Sequence, residues 1–432
     1  MPAVSDPREL FRQTFGGEGE IGVVSVPGRV NLIGEHIDYH GLPVLPIAIK
    51  RYVRVAFRPR QDRLIRAVST APYLPREFQW TSDLAPAAPG DWQNYLRAAA
   101  QVVSRMGEIG KLKHAPRGID AVVVSDLPAA AGLSSSTALL VAFTLALLRV
   151  NHCAPTFDEL MAVLPDGEQF VGTRGGGMDH AAVLASQPGC ASLIDFQPLS
   201  VRPIPIPLEW SFLVAHSLEA AEKSGGAREA YNARRRAGTT ALQRLGFPSY
   251  RVAVEGHTLK QLETLVRTPR SAAGPPAGLS AEDINRGPAG APHQTDSATL
   301  EEQDSFLHVT GEAFRVQAAV SALNRQDPAT FGHLLLKSHA SLRDRLKVSC
   351  PALDRLVEAA MESGAMGARL TGAGFGGCAV IFTLTEDRPD VRRRLIDRYY
   401  SGRPDFHEDR HLIDADPGPG VLNEENHATP HP

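Results

Sequence analysis

Several things are scarce in this chain. Cysteine is one: Cys153, Cys190, Cys350 and Cys378 stand far apart with no CxxC pair, which argues against a disulfide framework and for reduced thiols. Charge of one sign is another. Lys and Arg number 45 against 48 Asp and Glu, so no electrostatic footprint for nucleic acid or an anionic membrane is present. Long hydrophobic runs are missing too; the longest, Ala138 to Leu148, is too short to span a bilayer and reads as a buried helix. The opening MPAVSDPRELFRQTF lacks the basic start and apolar core of a secretory leader. The expectation is a cytoplasmic globular protein without a nucleic-acid or membrane partner.

A length of 432 residues favours two domains over one. Strand-like runs rich in Val and Ile occur at 21–26, 44–49, 52–57 and 119–125, bounded by Gly, Pro or Asp. Helical periodicity marks 92–106 and 137–150. A second α/β section begins near 211 with WSFLVAH and runs to about 400, with helices expected at 226–244, 307–325, 328–345 and 351–362 and a strand at 378–384. The stretch 268–298 is dense in Pro, Ala and Gly and reads as a flexible insertion without chemistry. The tail after about 418 reads as frayed. The expected architecture is α+β, with domains at 1–205 and 206–432 and the active site in the cleft between them.

Against these absences stands PGRVNLIGEHIDY at 27–39, which places Arg29, Asn31, Glu35, His36 and Asp38 directly after the apolar run IGVVSV. Unpaired polar groups in a core cost free energy, so such density at the end of a buried strand fits groups that face a polar ligand. Carboxylates, an imidazole and a fixed cation suit a small polyhydroxylated molecule. Residues 128–138, PAAAGLSSSTA, run into the apolar helix LLVAFTLALLRV. Small residues allow close backbone approach, and a helix start offers free N–H groups and a positive dipole end, a ready site for nucleotide phosphates. The Gly-Lys-Ser/Thr ending of a Walker A loop is missing. A plain serine N-cap accounts for the same residues, and this segment alone leaves both readings open. Two further glycine-rich segments, GTRGGGMDH at 172–180 and LTGAGFGGCAVIF at 370–382, make three such loops beside one polar cluster, which is hard to explain as packing.

GRVNLIGEHIDY, GLSSSTA and GAGFGG resemble the three signature motifs of the GHMP sugar and metabolite kinases, and GEHIDY is similar to the galactokinase branch in particular. WQNYL at 92–96, GGGMDH at 175–180, AYNARRRA at 230–237 and SHASLRDRLKVSCPALDRLVEAA at 338–360 resemble galactokinase segments in the same order. The resemblance implies a two-domain GHMP kinase fold, with an N-terminal domain like domain 2 of ribosomal protein S5 and a ferredoxin-like C-terminal domain. It implies ATP-dependent phosphorylation of a sugar at its anomeric hydroxyl, galactose above all, by a monomer. Asp179 then matches the catalytic aspartate and Arg29 the arginine between that carboxylate and the γ-phosphate. Such a guanidinium keeps the carboxylate ionised and stabilises charge as the phosphoryl group moves. Glu35, His36, Asp38, Gly176 and Tyr231 match sugar-binding positions, and Trp92 and Tyr95 the adenine pocket. Gly132, Leu133, Ser134, Ser135, Ser136, Gly372 and Gly374 fall in the ATP-binding loops. Mg²⁺ is implied alongside ATP, held by Ser136 and Glu168.

The chain also departs from the family pattern. Ile37 stands where Thr is common, His40 where Asn is common, and GGGMDH replaces CGIMDQ. The family's metal-binding Glu position is occupied by Gly167, one residue before Glu168, and a step along a helix turns a side chain by about 100°. Either an irregularity near Pro165 restores Glu168 to the site or the metal has fewer protein ligands. These changes leave a related sugar (N-acetylgalactosamine, arabinose or a uronic acid) or a non-catalytic sugar and ATP sensor as alternatives. Asp179 as a mere helix cap is the plainer reading of that residue. HEDRH at 407–411 matches the HExxH pattern, but the prolines around it argue against the helix that zinc binding needs.

Overall fold

The computed structural model describes residues 6–423 except 71, 109, 113, 129–131, 171–175, 220–225 and 268–298, so the expected insertion lies outside the described residues. The first section begins with helix α1 (Pro7–Phe15), strands β1 (Gly22–Ile33), β2 (Leu45–Pro59), β3 (Leu64–Ser69) and β4 (Arg76–Gln79), helix α2 (Gln93–Glu108) and strand β5 (Ile119–Ser125). Helices α3 (Ser135–Val150), α4 (Phe157–Phe170) and α5 (Met178–Ala185) follow, then the hairpin β6 (Cys190–Phe196) and β7 (Leu199–Pro205). The second section comprises β8 (Trp210–His216), α6 (Gly226–Arg244), α7 (Tyr250–Gly256), α8 (Leu259–Arg267), α9 (Leu300–Asn324), α10 (Pro328–Asp344), α11 (Pro351–Glu362), β9 (Gly367–Thr371), β10 (Cys378–Leu384) and α12 (Arg388–Leu395). It closes with a short α13 (Glu408–His411), β11 (Leu412–Asp414) and β12 (Pro417–Gly418).

The first sheet runs β1-β2-β5-β3-β4, and the second runs β11-β8-β10-β9. Two expected strands, 44–49 and 52–57, are one. The pairing shifts between Pro27 and Gly28, so that Pro27 lies opposite Tyr52 and Gly28 opposite Ile49. Lys50 and Arg51 are thus the extra residues of a bulge, not a turn. For the same reason β1 does not stop at residue 26. It continues through the polar motif to Ile33, which puts Arg29 and Asn31 on a buried strand paired with Ala48 and Pro46. Helix α3 is buried on nearly all sides, as its uninterrupted apolar sequence requires, and packs against β1, β2 and α2. Burial of a side chain such as Leu140, Phe143 or Leu147 contributes about 1.5–3 kcal/mol.

The expected fraying after about 418 does not hold for the described residues. Pro417 and Gly418 pair with Ile49 and Ala48 of β2, and Val421 is buried. The second section therefore returns its last described residues to the first sheet. HEDRH forms a single helical turn, with the His407 amide donating to Nδ1 of His411 over 2.9 Å. No His, Cys, Asp or Glu cluster suited to a metal occurs among the described residues, and no described helix is long and apolar enough to cross a membrane.

Candidate active site

Arg29 reaches from the middle of β1 to Asp179, 150 residues away. Its Nε and Nη2 both lie 2.7 Å from Asp179 Oδ1, and Nη1 donates to the Gly132 carbonyl over 2.6 Å. Asp179 is the second residue of α5. It does not cap that helix: Gly177, with φ +96°, holds the cap position, while the carboxylate takes Arg29 on one oxygen and the Ser134 hydroxyl, 2.5 Å away, on the other. Burial alone pushes the Asp179 carboxyl up, but the Arg29 charge and the hydrogen bonds from Ser134 and Arg29 outweigh it and hold the group below its usual range. Arg29 in turn is held cationic: burial opposes its charge, and Asp179 and Glu35 more than compensate.

Beyond Ile33 the chain turns sharply. His36 takes φ +63°, and Asp38–His40 forms a 3₁₀ turn. The Gly176 amide donates to Asp38 Oδ2 over 3.0 Å. A Cβ at 176 would lie 2.5 Å from both that oxygen and the Tyr39 nitrogen, so only glycine fits. The Asp38 carboxyl is pushed up to about 6, by burial first and by the Asp179 charge second. His36 sets its Nε2 3.2 Å from the Ala373 carbonyl and its Nδ1 3.0 Å from the Tyr39 hydroxyl. A carbonyl only accepts, so Nε2 carries the proton and Nδ1 accepts from Tyr39. Burial lowers the His36 pKa and keeps the ring neutral. The Tyr231 ring packs 5.2 Å from His36 and 5.6 Å from Tyr39, and its hydroxyl is pushed well above the usual range by burial and the nearby Asp38. Asp38, His36, Gly176, Tyr231 and Asp179 thus form one cluster.

Glu35, expected as a sugar contact, also meets the loop that follows β9. Its carboxylate is 3% exposed and accepts from Asn31 Nδ2 at 2.7 Å, Thr371 Oγ1 at 3.3 Å and the Gly372 amide at 2.5 Å, with Arg369 Nη2 at 3.4 Å. With both oxygens engaged, Glu35 seats the GAGFGG loop against the motif. The substituted neighbours are packing residues: Ile37 is fully buried in the core, and the His40 ring packs tilted against Tyr250 and edge-on to Tyr39.

The glycine loops meet beside this cluster. Gly132 (φ +76°) and Gly372 (φ +85°) touch through their backbones, and a Cβ on Gly372 would lie 3.2 Å from the Gly132 carbonyl. Gly374 sits in the same loop against the Val348 backbone. The buried Leu133 gives its carbonyl to the Arg29 amide at 3.2 Å. Ser134 precedes α3 in a left-handed conformation and makes no side-chain capping bond, so the serine N-cap reading fails. The first amides of α3, at Ser135 and Ser136, therefore have no acceptor within the helix or from that cap.

Helix α4 runs unbroken past Pro165. Gly167 faces Val102 and Leu140 in the core, whereas Glu168 turns toward α3 and accepts from Thr137 Oγ1 over 2.6 Å. Tyr95 lies within hydrogen-bonding reach of Ser136 and close to Glu168. Trp92 sits just before α2, and its carbonyl accepts from the Tyr95 amide over 3.1 Å. It is buried, donates its indole N–H to the Leu74 carbonyl over 2.9 Å, and has the exposed Tyr73 ring 6.1 Å away. Residues that reading the sequence missed include Tyr39, Thr371, Arg369 and Tyr73. Tyr39 lay inside the motif and Thr371 inside the segment 370–382; no local pattern marks Arg369 or Tyr73.

Residues 9–59 match the galactokinase galactose-binding signature, 94–187 the GHMP kinases N terminal domain and 319–401 the GHMP kinases C terminal domain. Galactokinase from Roseiflexus sp. (strain RS-1) is 34% identical over 398 residues, 91% of each chain, and human galactokinase is 34% identical over 420 residues, 94% of each. The chain belongs to the galactokinase family. Among solved structures, Lactococcus lactis galactokinase complexed with galactose matches with a TM-score of 0.77 and 24% identity, covering 95% of this chain and 97% of that one. A mevalonate kinase matches at 0.57 and 17%, covering 91% and 98%. At those identities the structures establish the fold alone: the α+β GHMP kinase architecture that this galactokinase-family chain shares.

Proposed function

We propose that this chain transfers the γ-phosphoryl group of ATP to the anomeric hydroxyl of galactose. The observation that carries the proposal is the Arg29–Asp179–Ser134 cluster, set where the sugar motif and the two glycine loops converge. Asp179, kept ionised, is the group to accept or orient the proton of the attacking hydroxyl. Arg29 sits beside it with its guanidinium toward the phosphate loop, where charge on the transferring phosphoryl group is stabilised by a fixed cation. Asp38 and Tyr231, with neutral His36 behind them, line the side from which a sugar presents its hydroxyls. The amides at the start of α3, which have no acceptor among the described residues, suit nucleotide phosphates, and Tyr95 marks the direction of the base.

Ser136 and Glu168 offer a hydroxyl and a carboxylate at the start of α3, an all-oxygen donor set that fits Mg²⁺, which takes few protein ligands and completes its shell from phosphates and water. Bound there, Mg²⁺ would neutralise charge on the nucleotide phosphates. The sparse cysteine supports a cytoplasmic setting, and the chain is proposed to act as a monomer.

A panel of sugars assayed for ATP consumption with Mg²⁺ tests the proposal. Galactose is expected to give turnover. Turnover on another sugar alone would refute the substrate, and sugar-dependent ATP binding without turnover on any sugar would favour a sensor.

A further inference from the structure

The reaction proposed above depends on two groups carried by unconnected elements, Arg29 on β1 and Asp179 on α5. A helix of eight residues, about 12 Å long, is too short to hold itself in place by its own hydrogen bonds. Its last carbonyls also need partners that the helix cannot provide. The Ser186 amide takes the Ala182 carbonyl; the segment 417–423 takes the rest. The Val421 amide donates to Val183 over 2.8 Å and the Leu422 amide to Leu184 over 3.0 Å. The Asn423 side-chain amide donates to the Ala185 carbonyl over 2.9 Å and to the Ser186 carbonyl over 3.0 Å, and the Gly420 amide donates to Ser186 over 2.7 Å. Gly420 lies so close that a Cβ would be 2.5 Å from the Leu184 carbonyl carbon.

The same segment reaches the other catalytic element. Gly418 pairs with Ala48 of β2, and Ala48 pairs on its opposite edge with Arg29. One short strap is therefore bonded to the strand register that carries Arg29 and to the helix that carries Asp179. We propose that residues 417–423 position the catalytic helix, with Asn423 and Gly420 as positioning residues that set the Asp179 carboxylate against the Arg29 guanidinium. Neither residue touches the cluster, and both act through α5.

This inference rests on the proposed kinase reading, so its test has one arm that needs no substrate. Asn423→Ala and Gly420→Ala are compared with Asn423→Gln, which keeps an amide donor, and with Val391→Ala, a buried position in the other sheet's core. Hydrogen exchange of the amides in 178–185, read without sugar, is expected to quicken in the first two variants and to stay near wild type in Val391→Ala. With whichever sugar the panel identifies, kcat is expected to fall about tenfold in Asn423→Ala and further in Gly420→Ala, with both KM values within about twofold, because a displacement below 1 Å in a reacting group already lowers rates severely. Asn423→Gln recovers part of the loss. An unchanged kcat in both strap variants would overturn the inference, as would a loss in Val391→Ala of the same size and the same kcat-to-KM split. A wild type inactive on every sugar would count against the kinase reading, while unchanged exchange in 178–185 would count against the strap.

Discussion

Asp38 shows what the site demands of a single residue. Its half-buried carboxyl faces Asp179, and desolvation first and that charge second push it from the ordinary 3.8 up to about 6. A folded-state pKa raised above the unfolded one gives stability that is fully present below the unfolded value and is lost as pH rises through the folded value. At neutral pH the ionised Asp38 therefore costs stability, on the order of 2–3 kcal/mol. Asp38→Asn is expected to raise the thermal midpoint at pH 7 and to flatten its dependence between about pH 4 and 6, while raising the galactose KM at least tenfold. Melting curves across that pH range and sugar kinetics check both halves; a variant neither more stable nor weaker in KM would place Asp38 outside the sugar site. In the wild type the galactose KM is expected to climb as pH falls below about 6, where the protonated group loses acceptor capacity. Arg29 and Asp179 were legible from motifs. The second role of Glu35 was not legible, because the sequence shows a carboxylate in a motif but not that Thr371 and the Gly372 amide both donate to its Oε1.

At the scale of elements, the site is made by backbone proximity. The Gly176 approach to Asp38 couples the loop before α5 to the sugar turn. Gly176→Ala is expected to displace Asp38 and raise the galactose KM by about one to two orders of magnitude, with nucleotide affinity unchanged within about threefold. Calorimetric titration with an ATP analogue and sugar kinetics separate the two; an equal loss for both ligands would contradict the local account. Strand and helix types were largely legible from periodicity, and the errors have physical causes. The polar Lys50–Arg51 pair resembles a turn until β1 is seen to pair across it. Helix α9 begins at Leu300, not 307, because Thr299 and Glu302 form a capping box, a signal that was present in the sequence and overlooked. Glu168 reaches α3 although it is one position off the family pattern, and only the orientation of α4 shows this.

At the scale of the molecule, the sugar turn is held from the second section. Glu312 of α9, fully buried, accepts from the Gly34 amide at 2.9 Å, the Glu35 amide at 3.3 Å and Ser338 Oγ at 2.7 Å, and pairs with Arg315 Nε at 2.7 Å. His308 donates Nε2–H to the Glu35 carbonyl over 3.0 Å, and buried Arg369 donates to the Asn31 and Leu32 carbonyls. Burial would raise the Glu312 carboxyl, but Arg315 above all brings it down to about 2. A depressed carboxylate gives stability that is present above its unfolded value of 4.5 and is lost as pH falls toward 2. Acid unfolding is thus expected between those limits. Glu312→Gln should blunt it and destabilise the neutral protein by about 2–4 kcal/mol, since Arg315 is left without its partner. Circular dichroism against pH reads this directly, and an unaltered acid transition would contradict it. The links that reach the sugar turn were not legible, because they join residues some 270–340 positions apart with no shared local pattern; the Glu312–Arg315 pair, at i and i+3 of one helix, is the local exception.

The central claim is that the Arg29–Asp179 junction moves a phosphoryl group onto the anomeric oxygen of galactose. Phosphorus NMR of galactose, ATP and Mg²⁺ incubated with the wild type and with Asp179→Asn tests it most directly. The account predicts galactose 1-phosphate from the wild type and at least a thousandfold slower formation by the variant, with nucleotide binding retained. Product phosphorylated at another hydroxyl, or near wild-type turnover by Asp179→Asn, would contradict it.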